Sequence, residues 1–265
     1  MYKIFFTLLT IISFCSCQKV IQVNLNNAKP KFVIEASLYE GTSDFTVRVT
    51  KTTSYFANEA IPTVNNANVT LQNNGITYNL TASGDGYYTL PNFTSSEYNT
   101  YQLNVNVEGQ TFTSAATMPN HANLDSLSYR YFGGFGPVQR EGDQLVLCHL
   151  KDSAGIKNYY RVLVYKNDTF QNKVSNYFLF DDQLRDGLEI APPLFTTLFN
   201  KGDKARIQLL SMDQKVYDYI STLEDAIANN DNTGAAPSNP NANFTNGALG
   251  YFAVYTFSEK EILIQ

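Results

Sequence analysis

Acidic side chains offer this chain's best chance of chemistry, because its 265 residues include only two histidines and three cysteines. Paired carboxylates serve as acid and base in glycoside hydrolysis when they stand roughly 5–9.5 Å apart. If the chain is an enzyme that processes glycans or peptides, its densest acidic cluster supplies the candidates. That cluster is Asp181, Asp182, Asp186 and Glu189.

The same cluster begins like a calcium-binding loop, with Asp182 followed by Asp186 and Gly187. An EF-hand loop needs an oxygen donor at its third position and a glutamate at its twelfth. Leu184 and Pro193 occupy those two positions here. We therefore expect no calcium loop of this type.

Other catalytic and metal sites lack the residues they need. Neither His121 nor His149 is paired with a nucleophile by any sequence motif, and no G-x-S-x-G elbow occurs. Two histidines and one cysteine in the body of the chain are too few for a transition-metal cluster. The glycines at 133–136 lack the Lys-Ser/Thr of a phosphate loop. The sequence predicts no catalytic residue, no metal and no cofactor.

Composition favours a β-rich body and excludes a nucleic-acid-binding surface. The net charge is −5 and there is no basic run. Tyrosine and phenylalanine number 18 each, while tryptophan is absent. Aromatic residues at this density favour strands. Cys148 lies in an apolar run, where it is predicted to be a small buried hydrophobe.

The N-terminus reads as a lipoprotein signal over residues 1–16. Lys3 precedes a mostly apolar stretch at residues 4–12, which is far shorter than the ~20 residues that span a bilayer. A cleaved signal is the better interpretation. Small Ser16 directly before Cys17 marks Cys17 as the lipidation site. An ordinary secretory signal cut after residue 17 is the alternative.

The acyl chains of a lipoprotein cysteine would hold the body at a membrane, since two or more chains bind stably where one binds marginally. Residues 17–29 are polar and Asn-rich, and they are predicted to form a tether. We therefore expect a lipid-anchored protein, and these residues leave open which face of the membrane it occupies.

Residues 30–118 are predicted to form an immunoglobulin-like antiparallel sandwich. Apolar and polar residues alternate strictly at 45–50 and 103–107, as they do in strands with one buried face. Asn74-Gly75 and Asp85-Gly86 suit tight hairpins that need positive φ. About seven short strands with regular turns and no helical pattern favour a sandwich.

Residues 119–265 are predicted to form a second antiparallel β domain that carries one amphipathic helix at 212–228. Ser211 with Gln214 forms a candidate capping box for this helix. The loop at 152–155 is predicted to join two strands as a hairpin. The apolar stripe of the helix is expected to cover a sheet, and it consists of Val216, Tyr219, Ile220, Leu223 and Ile227.

Two loops are the candidate surfaces for contact with a partner protein. One is the polar stretch at 229–246, which is long for a structureless loop inside a domain, and such loops are often functional. The other is the Gly-rich stretch at 132–137. The contact residues proposed from these loops are Phe132, Phe135, Pro137, Pro237, Pro240 and Phe244.

A succession of short motifs follows Cys17 along most of the chain. No single motif is specific, but their order is. They are Pro30-Lys31-Phe32-Val33-Ile34-Glu35, Ser54-Tyr55-Phe56, Ala67-Asn68-Val69-Thr70-Leu71, Gly86-Tyr87-Tyr88, Tyr101-Gln102-Leu103-Asn104-Val105, Asn158-Tyr159-Tyr160-Arg161-Val162, and a late run from 243 to 252 with Gly247, Gly250, Tyr251 and Phe252.

In this order the motifs resemble the Bacteroidota lipoprotein family catalogued as domain of unknown function 4249. The resemblance implies a two-part β protein whose gene often lies beside that of a TonB-dependent outer-membrane transporter. It therefore implies an accessory role in the cell envelope, and it brings no catalytic residues.

The leading hypothesis is a non-catalytic binding or accessory lipoprotein of the outer membrane that associates with a TonB-dependent transporter. One alternative is a membrane-held enzyme that processes glycans or peptides through the acidic cluster. A purely structural envelope protein is the other.

Overall fold

The computed structural model describes residues 29–53, 60–133, 143–173, 178–230 and 239–265. These residues form a mainly β protein with one long helix, as the sequence predicts. The helix α1 spans Gln214–Asn230, and a 3₁₀ turn spans Thr245–Gly247. The strands are β1 (Phe32–Tyr39), β2 (Gly41–Lys51), β3 (Asn68–Asn73), β4 (Ile76–Asn79), β5 (Thr81–Gly84), β6 (Tyr87–Ser95), β7 (Thr100–Val107), β8 (Gln110–Thr117), β9 (Leu124–Tyr131), β10 (Gln144–Lys151), β11 (Tyr159–Lys166), β12 (Thr169–Phe170), β13 (Phe178–Asp181), β14 (Glu189–Ile190), β15 (Lys204–Met212) and β16 (Leu249–Leu263).

Two sheets enclose the first core. One contains β16, β1, β2, β6 and β5 in that order, and the other contains β4, β3, β7 and β8. Alternate residues of both sheets point inward, as strands with one buried face require. Ile34 and Phe45 from the first sheet meet Leu71 and Leu103 from the second in one buried cluster.

The last strand, β16, belongs to both halves of the protein. Its residues 249–255 pair in parallel with β1, and its residues 256–263 pair in antiparallel fashion with β15. Phe252 and Val254 are accordingly buried in the first core. Further along, Thr256 and Ser258 donate hydrogen bonds to the carbonyls of Asn120 and Ala122. The strand therefore fixes the segment that connects the two halves.

The second half places a sheet between a core and the helix. Strands β12, β11 and β15 continue the sheet beyond β16, and β13 also pairs with β11. One face packs on the small sheet β14–β10–β9 around Val146, Val162 and Phe199. The other face lies under α1, where Val216 and Ile220 are buried, as the apolar stripe predicts. Ile227, at the end of that predicted stripe, is instead 39% exposed.

The predicted domain boundary after Met118 stays a prediction. The structure adds that the first core is completed from the far end of the chain. Phe244, Ala248, Phe252 and Val254, all from the predicted second domain, are buried in the first core.

Turn chemistry predicts the short hairpins correctly. Asn74 and Asp85 have φ of 49° and 50°, and each joins two adjacent antiparallel strands. The hairpin predicted at residues 152–155 is wrong. Strands β10 and β11 lie in different sheets, so this loop crosses from one sheet to the other.

The helix begins with a different cap from the one predicted. Asp213 accepts a hydrogen bond from the Val216 backbone N–H at 2.9 Å, which is the usual N-cap contact. Ser211 instead lies within β15, where its hydroxyl is buried without a hydrogen-bond partner among the described residues. Sheet pairing therefore extends closer to the helix than the capping box implies.

Cys148 is fully buried in the second core, as predicted. Burial raises the pKa of its thiol to about 12. The thiolate that reacts or binds metals is therefore scarce at neutral pH, and Cys148 serves as packing.

Because β1 and β16 pair closely in parallel, we expect G250A to lower the free energy of unfolding strongly. Gly250 has φ of +91°, and a Cβ there would overlap the carbonyl oxygen of Ile34. We expect a loss of roughly 3 kcal/mol or more from strain and overpacking together, measured by urea unfolding. Gly202 is the matched control, with φ of +90° and open space around it. G202A should cost only the backbone strain, about 1–2 kcal/mol. Equal losses would contradict the close approach.

Two substitutions at Asp213 separate the cap from the charge of the carboxylate. D213A removes the cap and should lower the free energy of unfolding by about 1 kcal/mol, whereas D213N keeps the cap and removes only the charge. Burial raises the pKa of the Asp213 carboxyl above its ordinary value, so deprotonation destabilises the folded state and wild-type stability falls as pH rises through that pKa. D213N lacks this loss, and its advantage over wild type should grow between about pH 3 and pH 7. A constant difference across this range would contradict the assignment.

Candidate functional site

The acidic cluster of the structure overlaps only in part with the predicted one. Asp182 and Asp186 lie with Asp152, and one carboxylate oxygen of each is within 4.8 Å of the others. Asp181, which ends β13, and Glu189, in β14, are not part of this group. Asp152 is thirty residues away in sequence, so no local pattern connects it with the cluster.

Two of these carboxylates hold together the two loops that carry them, residues 152–158 and residues 182–188. Asp152 and Asp182 are each only 3% exposed. Asp152 accepts the Tyr160 hydroxyl at 2.5 Å and the Gly187 N–H at 2.9 Å. Asp182 accepts the backbone N–H of Asn158 at 2.9 Å. Buried carboxylates are stable when N–H and O–H donors surround them in this way.

The loops meet closely at Gly187. Its φ is +71°, and a Cβ at this position would lie 2.7 Å from the Cβ of Ala154. Asp186, which is exposed, accepts the Gly155 N–H at 2.7 Å and so ties the same two loops together. The sequence signal for this contact is only the Asp-Gly pair at 186–187.

Oxygen donors in this arrangement are of the type that calcium prefers. Protein donors already occupy both oxygens of Asp152 and one of Asp182. We therefore interpret the cluster as a structural brace between the two loops.

Two open depressions adjoin this brace and share Ile156 and Lys157 in their walls. The first, of about 360 Å³, is lined mainly by the two loops and includes Asp182 and Gln183. The second, of about 260 Å³, lies at the junction of the two halves and has a largely apolar wall. Junctions of this kind are frequent sites of ligand binding. The second depression is lined by Tyr98, Thr117, Met118, Pro119, Asn120, Ile156, Lys157, Asn158, Tyr159, Ser211, Met212, Asp213 and Gln214.

Each histidine has a partner that the sequence did not indicate. Nε2 of His149 lies 2.6 Å from the Ser128 hydroxyl, across the β9–β10 pair. A serine triad also needs a carboxylate on the other ring nitrogen, and none bonds it among the described residues. Nδ1 of His121 lies 3.2 Å from a carboxylate oxygen of Glu40, and Glu97 is close to both.

A family model described as "Domain of unknown function (DUF4249)" matches residues 18–261 of the chain. The chain belongs to this family. The matched region contains both core halves, the acidic brace and the two histidine pairs. No curated protein sequence matches the chain.

In this DUF4249 protein, one predicted contact residue is corrected by the structure. Phe244 is only 8% exposed and lies in the first core, so its side chain is unavailable to a partner. The loop around it is held firmly, because Asn243 exchanges two hydrogen bonds with the backbone of Phe252. Phe244 is buried because the apolar faces of two sheets surround it, even though its loop is polar in composition.

The other predicted contact residues have different outcomes. Phe132 is half-buried, and its ring packs edge-on against Phe195, which is 56% exposed. Pro240 is half-buried. Phe135, Pro137 and Pro237 lie outside the described residues, as does Cys17. Their roles stay predictions.

The brace predicts that Y160F destabilises the protein. It removes the hydroxyl donor from a buried carboxylate, which costs about 1–3 kcal/mol. Y165F is the control, because the hydroxyl of Tyr165 lies only half-buried at 3.5 Å from Gln208. It should change the free energy of unfolding by less than about 0.5 kcal/mol. Chemical denaturation of both variants measures the difference, and equal values would argue against the brace.

Proposed function

We propose that this DUF4249 protein is a lipoprotein of the outer membrane, anchored through Cys17, that acts as a non-catalytic binding or accessory protein. The observation that carries the proposal is the start of the family match at residue 18. The family domain thus begins directly after the predicted lipidation cysteine. Residues 1–16 are then the signal peptide.

We also propose that residues 30–118 form an immunoglobulin-like module. The strand orders β1–β2–β6–β5 and β4–β3–β7–β8 support this. They correspond to the ABED sheet and the CFG sheet of that fold, with β4 extending the second sheet beyond its C-like strand. Modules with this architecture are frequent in proteins that act by binding at cell surfaces.

A TonB-dependent transporter is the proposed partner, on the strength of the family resemblance. The pair formed by Phe132 and Phe195 supports a contact near the predicted Gly-rich loop. Exposed aromatic side chains are enriched in protein interfaces. Among the described residues, no helix is long and apolar enough to cross a membrane; the proposed lipid supplies the attachment.

An enzymatic role has less support. The buried carboxylates of the acidic cluster are held by donors from their own loops, and the Ser128–His149 pair has no carboxylate behind it among the described residues. Neither group presents a complete set of catalytic residues.

The proposal predicts that the full-length chain is acylated at Cys17 and that C17S releases it from the membrane. Mass spectrometry of the mature N-terminus and fractionation of both proteins measure this. Purification from mildly solubilised membranes should recover a transporter barrel with the wild type. An unmodified N-terminus would contradict the anchor, and a chain that always emerges alone would contradict the partner.

A matched pair of variants tests the contact surface in the same purification. F195S removes an exposed aromatic residue next to the Gly-rich loop. I76S removes a residue of similar exposure, 55%, in the first half of the chain. Recovery of the partner should fall with F195S alone. Equal recovery with both variants would place the contact elsewhere.

A further inference from the structure

A second cluster of potential metal ligands lies at the junction of the two halves, apart from the acidic brace. It consists of Glu40, Glu97 and His121. One donor atom from each lies within 4.8 Å of the other two, and all three residues are partly exposed. The set therefore combines one imidazole nitrogen with two carboxylates at a place that solvent ions can reach.

Three different segments supply these residues, and backbone hydrogen bonds hold them near one another. Glu40, between β1 and β2, donates its N–H to the carbonyl of Tyr255 at 2.8 Å. Glu97 precedes Tyr98, whose N–H bonds the carbonyl of Met118 at 2.9 Å. His121 follows in the segment that β16 fixes through Asn120. The ligand positions are thus set by the fold.

The electrostatics of the cluster favour a cation. Two glutamates lie together, and among the described residues no lysine or arginine forms an ion pair with either of them. His121 contacts Glu40 at 3.2 Å. It contributes at most one positive charge against two negative ones.

The spacing also suits a metal. Zinc bonds to histidine nitrogen and carboxylate oxygen are about 2.0–2.2 Å long, so neighbouring donors in a tetrahedral site are about 3.3 Å apart. The pair formed by His121 and Glu40 already has this separation. One carboxylate oxygen of Glu97 lies within 4.8 Å of both of these atoms. Three protein ligands leave a fourth position for water, as in open zinc sites.

We propose that Glu40, Glu97 and His121 bind a divalent transition-metal ion of the zinc class. Imidazole with carboxylates suits such ions, whereas calcium takes oxygen ligands alone. The ion would link the β1–β2 turn, the β6–β7 loop and the connecting segment, and so stiffen the junction. The sequence did not predict it, because counting histidines and cysteines ignores carboxylates that only the fold brings together.

Titration of the full-length chain in detergent with Zn²⁺, without a polyhistidine tag, tests the site. Wild type should bind one ion saturably at this site and melt at a higher temperature with zinc present. H121Q, E40Q and E97Q should each weaken binding at least about tenfold, since even losing a group behind a ligand costs 10–100-fold. H149Q and E35Q are the matched controls, one for the other histidine and one for an exposed carboxylate in β1, and both should bind as wild type does.

Co²⁺ substitution separates this site from binding at cysteine. A site of nitrogen and oxygen donors gives cobalt d–d absorption without the charge-transfer band of a thiolate. Three results would overturn the proposal: no saturable zinc binding by the wild type, equal binding by all variants, or a thiolate band in the cobalt spectrum that H121Q leaves unchanged. Circular dichroism of each variant establishes that it is folded.

Discussion

The architecture depends on one set of backbone hydrogen bonds, those that β16 makes first with β1 and then with β15. The first part of this strand pairs in parallel with β1, and its second part pairs in antiparallel fashion with β15. Each half of the protein therefore uses a different part of the same strand to satisfy backbone N–H and C=O groups. The approach is so close at Gly250 that a side chain would not fit against Ile34. Where the halves meet and how the connector runs both follow from this strand.

The junction brings together the metal-ligand cluster and the apolar depression for the same reason. The connector at 119–124 is held against β16, which brings His121 next to Glu40 and Glu97. The apolar depression lined by Met118 and Met212 lies at this seam. By contrast, the buried aspartates of the brace act within the second half. They secure two loops that cross between sheets, where no hairpin bonds are available.

The sequence predicted what depends on near neighbours and missed what depends on the fold. Alternation located the strand cores, since period two is a local property, and Asn74 and Asp85 identified their turns. Pairing between strands that are far apart in sequence produces no such local pattern. Asp152 lies next to Asp182 because the loop after β10 contacts the loop after β13. Phe244 is buried although its loop is polar, because the first core needs an aromatic side chain from the end of the chain. Ser211 and Gln214 match a capping box in sequence, but Ser211 pairs within β15 and so does not cap the helix.

The pairing of β1 with residues 249–255 spans more than two hundred positions of sequence, and this has a consequence for biogenesis. An N-terminal fragment that ends before residue 249 leaves the edge of β1 and the apolar residues beside it uncovered. If residues 1–16 direct export, as proposed, the chain crosses the membrane before it folds. The first core can then close only after the last strand has also been translocated.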